Sequence, residues 1–208
     1  SIWLGTAVGG LYLVWCWRRW FILLTPLPVA LLLIANPANL RERVISSFQP
    51  HGDTDSNRFR EICRVTGWEI IKAHPLLGLG PEQVKVQFQK WIPADVKRPL
   101  PPGYYQHLHN VYYQYAAERG IPALLALLAM FARILWDFWS AHRCLNPADP
   151  HYQDRRYLLH GGIAVTIAVL VTAFYEVNIG DGEVLILYLA TVGIAYLGVR
   201  DTTTSALE

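Results

Sequence analysis

Five long apolar runs, at about residues 2–17, 20–35, 121–139, 158–177 and 184–199, constrain this chain more than any other feature. An apolar run of about 18 residues or more, coiled as a helix, satisfies its own backbone hydrogen bonds and spans the hydrocarbon of a bilayer. Enclosing five such helices in a water-soluble fold requires a larger core than 208 residues provide. The chain therefore reads as all-α, a polytopic membrane helix bundle. Charged residues are only 16% of the chain, and they gather between the runs. The first two runs are short, and Pro26 and Pro28 interrupt the second.

Arginine placement orients the bundle. Arg18 and Arg19 lie between the first two runs, Arg143, Arg155 and Arg156 between the third and fourth, and Arg200 after the fifth. Alternating spans put all of these on one side, which is the cytoplasmic side because short cytoplasmic loops carry the excess of Lys and Arg. The acidic loop 178–183 and the long segment 36–120 then lie outside. Long loops translocate largely regardless of charge, so the basic residues of 36–120 do not oppose this. The expected division is two membrane helices in 1–35, an outer loop with short helices carrying the site in 36–120, three membrane helices in 121–200, and a cytoplasmic tail in 201–208. Trp3, Trp15, Trp17, Trp20, Trp136 and Trp139 fall near span ends, as an aromatic belt does. Ser1 stands in or beside an apolar run with no basic leader before it. We expect the chain to be the C-terminal portion of a longer membrane protein.

The outer segment carries its own local signals. Leu40, Val44, Ile45 and Phe48 share one helical face, which predicts a short helix in the headgroup region. Ser56 or Asn57 caps a helix that runs to about Ala73 and stops before Pro75. Pro75-Leu76-Leu77-Gly78-Leu79-Gly80 is a tight apolar turn. Its GxG lacks a preceding strand and a third glycine, so it is no dinucleotide loop. Pro81 begins another short helix with Val84, Phe88 and Trp91 on one face. Pro93, Pro99, Pro101 and Pro102 stiffen the next stretch into an extended arm. Asn110 caps a helix over 111–119, Gly120 breaks it, and Pro122 starts the third span. Cys63 is alone in this segment, so no internal disulfide holds the loop and packing must do so.

Two groups of residues carry chemistry. Arg60 and Arg64 share a helix face, with Arg58 just before them. Arginine keeps its charge and presents a planar fork of donors suited to phosphate oxygens. An arginine face at an outer membrane surface suits a lipid pyrophosphate; headgroup binding, or pairing with Glu61 and Glu69, is the plainer alternative. His107 and His109 are titratable near neutral pH and stand where the polar loop runs into an apolar helix. One of them is a candidate base toward a hydroxyl; backbone hydrogen bonding is the alternative. Their spacing, with no Cys or third His nearby, does not make a metal site, and Asp181-Gly182-Glu183 reads as an acidic turn. The net charge of +2 and the lack of a basic, aromatic-laced cluster exclude a nucleic-acid partner.

Several of these motifs recur in one family in the same order. Arg64-Val65-Thr66-Gly67-Trp68, Pro75 to Gly80, His109-Asn110, and Glu118-Arg119-Gly120-Ile121-Pro122 together resemble the O-antigen ligase and polymerase family. These are bacterial inner-membrane glycosyltransferases with a large periplasmic loop. The ligase pattern is His, then Asn, Ser or Gln, nine residues, Gly, two residues, and Gly, Thr or Tyr. His109, Asn110 and Gly120 fit it, and Ala123 departs from it at the last position. The segment Phe174 to Asp181 also resembles a family feature. The resemblance implies transfer of a glycan from undecaprenyl pyrophosphate to an acceptor hydroxyl, on lipid A-core or a growing glycan. Such a transfer needs no nucleotide sugar, and we expect no cofactor and no metal. His109 and Arg64 are then the candidate catalytic residues, and Arg58, Arg60, His107, Asn110, Glu118 and Gly120 the candidate substrate-binding residues. Membrane lipids are the other expected partners. Two competing readings are a transporter, as in family members resembling inorganic-carbon carriers, and a binder of lipid-linked glycan without catalysis. Ionisable residues in the spans (Arg133, His160, Glu176) lie near ends or in the outer halves of runs, which favours chemistry at the surface over transport through the midplane.

Overall fold

A computed structural model describes residues 2–24, 34–35, 56–101, 103 and 105–204. Among them every regular element is helical: α1 (Ile2–Arg18), a 3-10 helix (Arg19–Leu24), α2 (Ser56–Ala73), α3 (Gln83–Trp91), α4 (Val111–Arg143), α5 (Tyr152–Thr172), a 3-10 turn (Asn178–Gly180) and α6 (Gly182–Thr204). Two of them, Val111–Arg143 and Gly182–Val199, are long and apolar enough to cross a membrane. The first, third, fourth and fifth apolar runs are thus helical over most of their length. The second begins as the 3-10 helix, and most of it lies outside the described residues, as does the helix expected over 40–48.

The helices form two packed regions. In the bundle, Phe131, Ile134, Phe138, Leu159, Ile163, Tyr188 and Val192 make a core shared by α4, α5 and α6. α1 lies along α5, and glycines allow the approach: a Cβ at Gly9 would sit 2.8 Å from the Ala164 carbonyl. Close backbone contact through small residues is how helices associate when lipid removes the hydrophobic drive between them. Large apolar side chains, Trp3, Trp15, Trp17 and Trp136 among them, face outward from this bundle.

The second region, the loop domain, joins α2, α3 and the start of α4. Its core is Ile62, Cys63, Ile70, Ile71, Val84, Phe88, Leu108, Ala116 and Ala117. Cys63 is a free, fully buried thiol, and burial pushes its pKa up to about 12. It serves as a small apolar core residue, so the loop is held by packing, as the lone cysteine requires.

α4 passes from one region to the other through a kink. Gly120 has φ 83° and ψ 165°, a conformation essentially restricted to glycine. The structure refines the expected break: α4 bends here and continues, because the Pro75–Gly80 turn supplies the missing hydrogen bonds. Pro122 has no N–H, so the Glu118 carbonyl four residues back lacks its helical donor. Gly80 N–H donates to that carbonyl at 2.9 Å and Leu79 N–H to the Ala117 carbonyl at 2.8 Å, while Ile121 N–H donates to the Pro75 carbonyl at 2.8 Å. The backbones meet so closely that a Cβ at Gly120 would overlap the Leu76 carbonyl, and one at Gly78 would overlap the Glu118 backbone.

Candidate functional site

The start of α4 meets the end of α5 at one end of the bundle. Asn110 caps α4, its Oδ1 accepting from Tyr113 N–H at 3.0 Å. Its Nδ2 donates to the Phe174 carbonyl at 3.0 Å. Val111 N–H donates to the Ala173 carbonyl at 2.9 Å, and Tyr112 OH to the Leu170 carbonyl at 2.7 Å. The start of α4 is therefore tied to the end of α5. Leu108 N–H donates to Gln114 Oε1 at 2.8 Å, which fastens the chain just before the cap. Between these fixed points His109 is held at φ 50°, the left-handed region that a bulky residue seldom occupies.

The side chain of His109 is closely surrounded. Its ring centroid lies 4.0 Å from that of His107 and 4.9 Å from Phe59, which meets it edge-on. Its Nδ1 is 3.6 Å from Glu176 Oε2, and its Nε2 is screened from water with no hydrogen-bond partner. A carboxylate facing Nδ1 favours the tautomer with the proton there and leaves a lone pair on Nε2. His107 Nδ1 accepts from His109 N–H at 3.3 Å. Burial, and then the neighbouring His109, hold the His107 pKa below the ordinary histidine value, with Glu176 pulling the other way.

Two cavities flank this histidine pair. A cleft of about 380 Å³ is lined by Arg60, Glu61 and Arg64 of α2, by His109, Asn110 and Tyr113, and by Phe174 and Tyr175 after α5. Arg64 Nη2 stands 3.9 Å from Glu61 Oε1, both side chains well exposed, a contact that is weak in water. On the other side a cavity of about 720 Å³ is lined by His107 and Glu176 together with Thr6, Thr172, Asn178 and Asp181 and apolar residues of α5 and α6. Among the described residues, no group of three or more His, Cys, Asp or Glu side chains could hold a metal ion.

The structure gathers four of the eight candidate residues, Arg60, Arg64, His109 and Asn110, in the first cleft. His107 adjoins it through His109 and faces the second cavity. Arg58 is placed elsewhere, with Nη2 donating to the Lys97 carbonyl at 3.1 Å. Glu118 and Gly120 do not line the cleft. Glu118 is buried, and burial raises its carboxyl pKa; the backbone of Glu82 and Val84 at the start of α3, Arg119 and Gln114 offset this only in part. Gly120 is the crossing point of the turn. Glu176, Tyr113 and Phe59 complete the surroundings of His109 and were not picked from sequence. The segment Phe174 to Asp181 was the one available signal for Glu176.

The sequence pattern of the O-antigen ligase family matches residues 1–128. This is more than half of the chain, and it contains α2, α3, the arginines, both loop histidines and Gly120. No curated protein matches the chain. On that match, together with the two helices able to cross a membrane, the chain belongs to the O-antigen ligase family: membrane-embedded, glycosyltransferase-like enzymes of surface-polysaccharide biosynthesis.

Proposed function

We propose that the chain transfers a glycan from undecaprenyl pyrophosphate to a hydroxyl of lipid A-core or of a growing glycan, at the periplasmic face of the inner membrane. The observation that carries this reading is the single cleft lined by Arg60, Arg64 and His109. In the reaction the acceptor oxygen bonds to the anomeric carbon of the donor sugar. The bond from that carbon to the phosphate oxygen breaks, and undecaprenyl pyrophosphate leaves with the electron pair. The acceptor proton passes to the imidazole of His109, which lines the cleft. Positive charge fixed beside the leaving pyrophosphate lowers the barrier, and Arg64 and Arg60 supply it. Glu176, whose Oε2 stands 3.6 Å from Nδ1, orients the imidazole, as a carboxylate behind a histidine base does. Asn110 positions His109 through the backbone, and Glu118 and Gly120 support the site by holding the loop domain to α4.

The topology belongs to the same proposal: five spans, with 36–120 and the 178–183 loop periplasmic. An impermeant thiol reagent applied to spheroplasts is expected to label Ser47→Cys and Ala94→Cys; protection of both would reverse the assignment. The chemical test is His109→Gln in the membrane-reconstituted protein, supplied with lipid-linked glycan and acceptor. Gln hydrogen-bonds but does not take up the proton. Transfer is expected to fall by about 10²–10⁴-fold while donor binding persists. A parent-like rate would leave His109 as a positioning group and remove it as the base.

A further inference from the structure

We propose that the Pro75–Gly80 turn is a membrane anchor, with Leu76 and Leu77 seated in the outer leaflet and setting the depth of the arginine–histidine cleft. The stitch to α4 uses backbone atoms alone, so it explains the glycines and leaves the leucines unexplained. Leu76 is 69% exposed and Leu77 85% exposed. Among the described residues neither belongs to a core, whereas Leu79, two positions on from Leu77, packs into the loop domain. Two adjacent, nearly bare leucines on a rigid turn forfeit the stabilisation that burial of a leucine brings.

Their level relative to the bilayer follows from the stitch. Ile121, whose N–H donates to the Pro75 carbonyl, is the first residue of the apolar run of α4. Glu118 and Arg119 lie on the polar side of that point. Ile121 and Leu125, one turn apart on α4, are themselves exposed to the surroundings that receive a membrane-spanning helix. The leucine pair therefore continues the lipid-facing surface of α4 sideways onto the loop domain. Lipid is the occupant that this continuity selects, because the turn is bonded to the helix where the helix becomes apolar. α2 leads directly into the turn, so the turn fixes the height of Arg60 and Arg64 above the hydrocarbon. A pyrophosphate at the headgroup level requires that fixed height.

The test is fluorescence quenching in liposomes of the full protein. Leu77→Cys carries an environment-sensitive dye, in a background where Cys16 and Cys144 are replaced by serine. We expect blue-shifted emission that is lost to a nitroxide on the lipid acyl chain and retained with aqueous iodide. Asp95→Cys, on the exposed arm, is expected to show the reverse. Quenching of the Leu77 dye by iodide would overturn the proposal. Resistance to both quenchers would overturn it too, since it would mean that another protein segment covers the turn. The quenching involves no glycan, so the lipid contact and the transfer reaction stand or fall separately. Leu77→Asp adds a functional readout: transfer is expected to drop at least severalfold, with Leu77→Phe close to the parent.

Discussion

Phe138 in the bundle and Phe88 in the loop domain are both sealed, at 0% and 1% exposure, yet the residues around them face outward in opposite fashion. Beside Phe138, Trp136 and Trp139 point away from the core. Beside Phe88, the outward positions of α3 are held mainly by Lys85, Gln87, Gln89 and Lys90, with Val86 the exception. The packing rule inside is the same, and the outward residues differ: apolar and aromatic for one region, mainly polar for the other, as the proposed topology requires of a lipid-facing and a water-facing surface. The two surfaces meet at Gly120. The reaction proposed here needs such a meeting, because its donor has a hydrocarbon tail and an ionised pyrophosphate.

The most severe way to break the comparison is to part the two regions. Gly120→Ala forces a side chain into a glycine-only conformation and into the Leu76 carbonyl. We expect a loss of roughly 3 kcal/mol, read as a lowered melting temperature in detergent. Gly161→Ala is the control within the bundle, where an added Cβ meets nothing within 4 Å. It is expected to leave stability unchanged or raise it by up to about 1 kcal/mol. Equal effects at both positions would mean that the regions are not joined through the turn.

A smaller effect sharpens the description of the water-facing side. Arg64→Lys keeps the charge and loses the planar fork, so transfer is expected to fall on the order of tenfold. Arg58→Lys, whose parent side chain holds the Lys97 carbonyl outside the cleft, is expected to stay within about twofold of the parent. Matching losses in a transfer assay would show that α2 contributes general surface charge and no specific phosphate site.

How much of this was legible in the sequence depended on the range of the interaction. The end of α2 before Pro75, the Asn110 cap, the buried face of α3 and the Gly120 break are local, set by backbone chemistry within a few residues, and all of them are present. The shared face of Arg60 and Arg64 is likewise local. What escaped was long-range. No spacing rule places Glu176 beside His109, or joins the Pro75–Gly80 turn to Ala117, Glu118 and Ile121. Two motifs that resemblance offered as site residues thus separate physically. His109 and Asn110 line the cleft, while Glu118 and Gly120 brace it. Arg58 lies near Arg60 and Arg64 in sequence, but its side chain reaches the Lys97 carbonyl on the arm.

The smallest predicted effect concerns protons in the water-facing region. His107 is half-buried between His109 and Glu176 and borders the second cavity, where Asp181 is the other carboxylate. Burial is the largest influence on it and His109 the next; both disfavour its cation, and Glu176 only partly offsets them. Its folded pKa is therefore below its unfolded value. As pH falls through the ordinary histidine pKa, about 6.5, the unfolded chain takes up a proton before the folded chain does. The stability that neutral His107 contributes is fully present above that pH and is lost below it, down to the lowered folded value. Amides of α2 report this region, so their hydrogen exchange, corrected for intrinsic rates, is expected to quicken between pH 7.5 and 5.5. His107→Phe keeps a ring against His109 and removes the titration, and should flatten that dependence. The C-terminal half of α6 serves as the reference, since it packs around Phe138 and Leu159, away from the cavity that His107 borders. An unchanged slope in His107→Phe would shift the acid sensitivity to another group. A parallel change in α6 would show that the two regions open together.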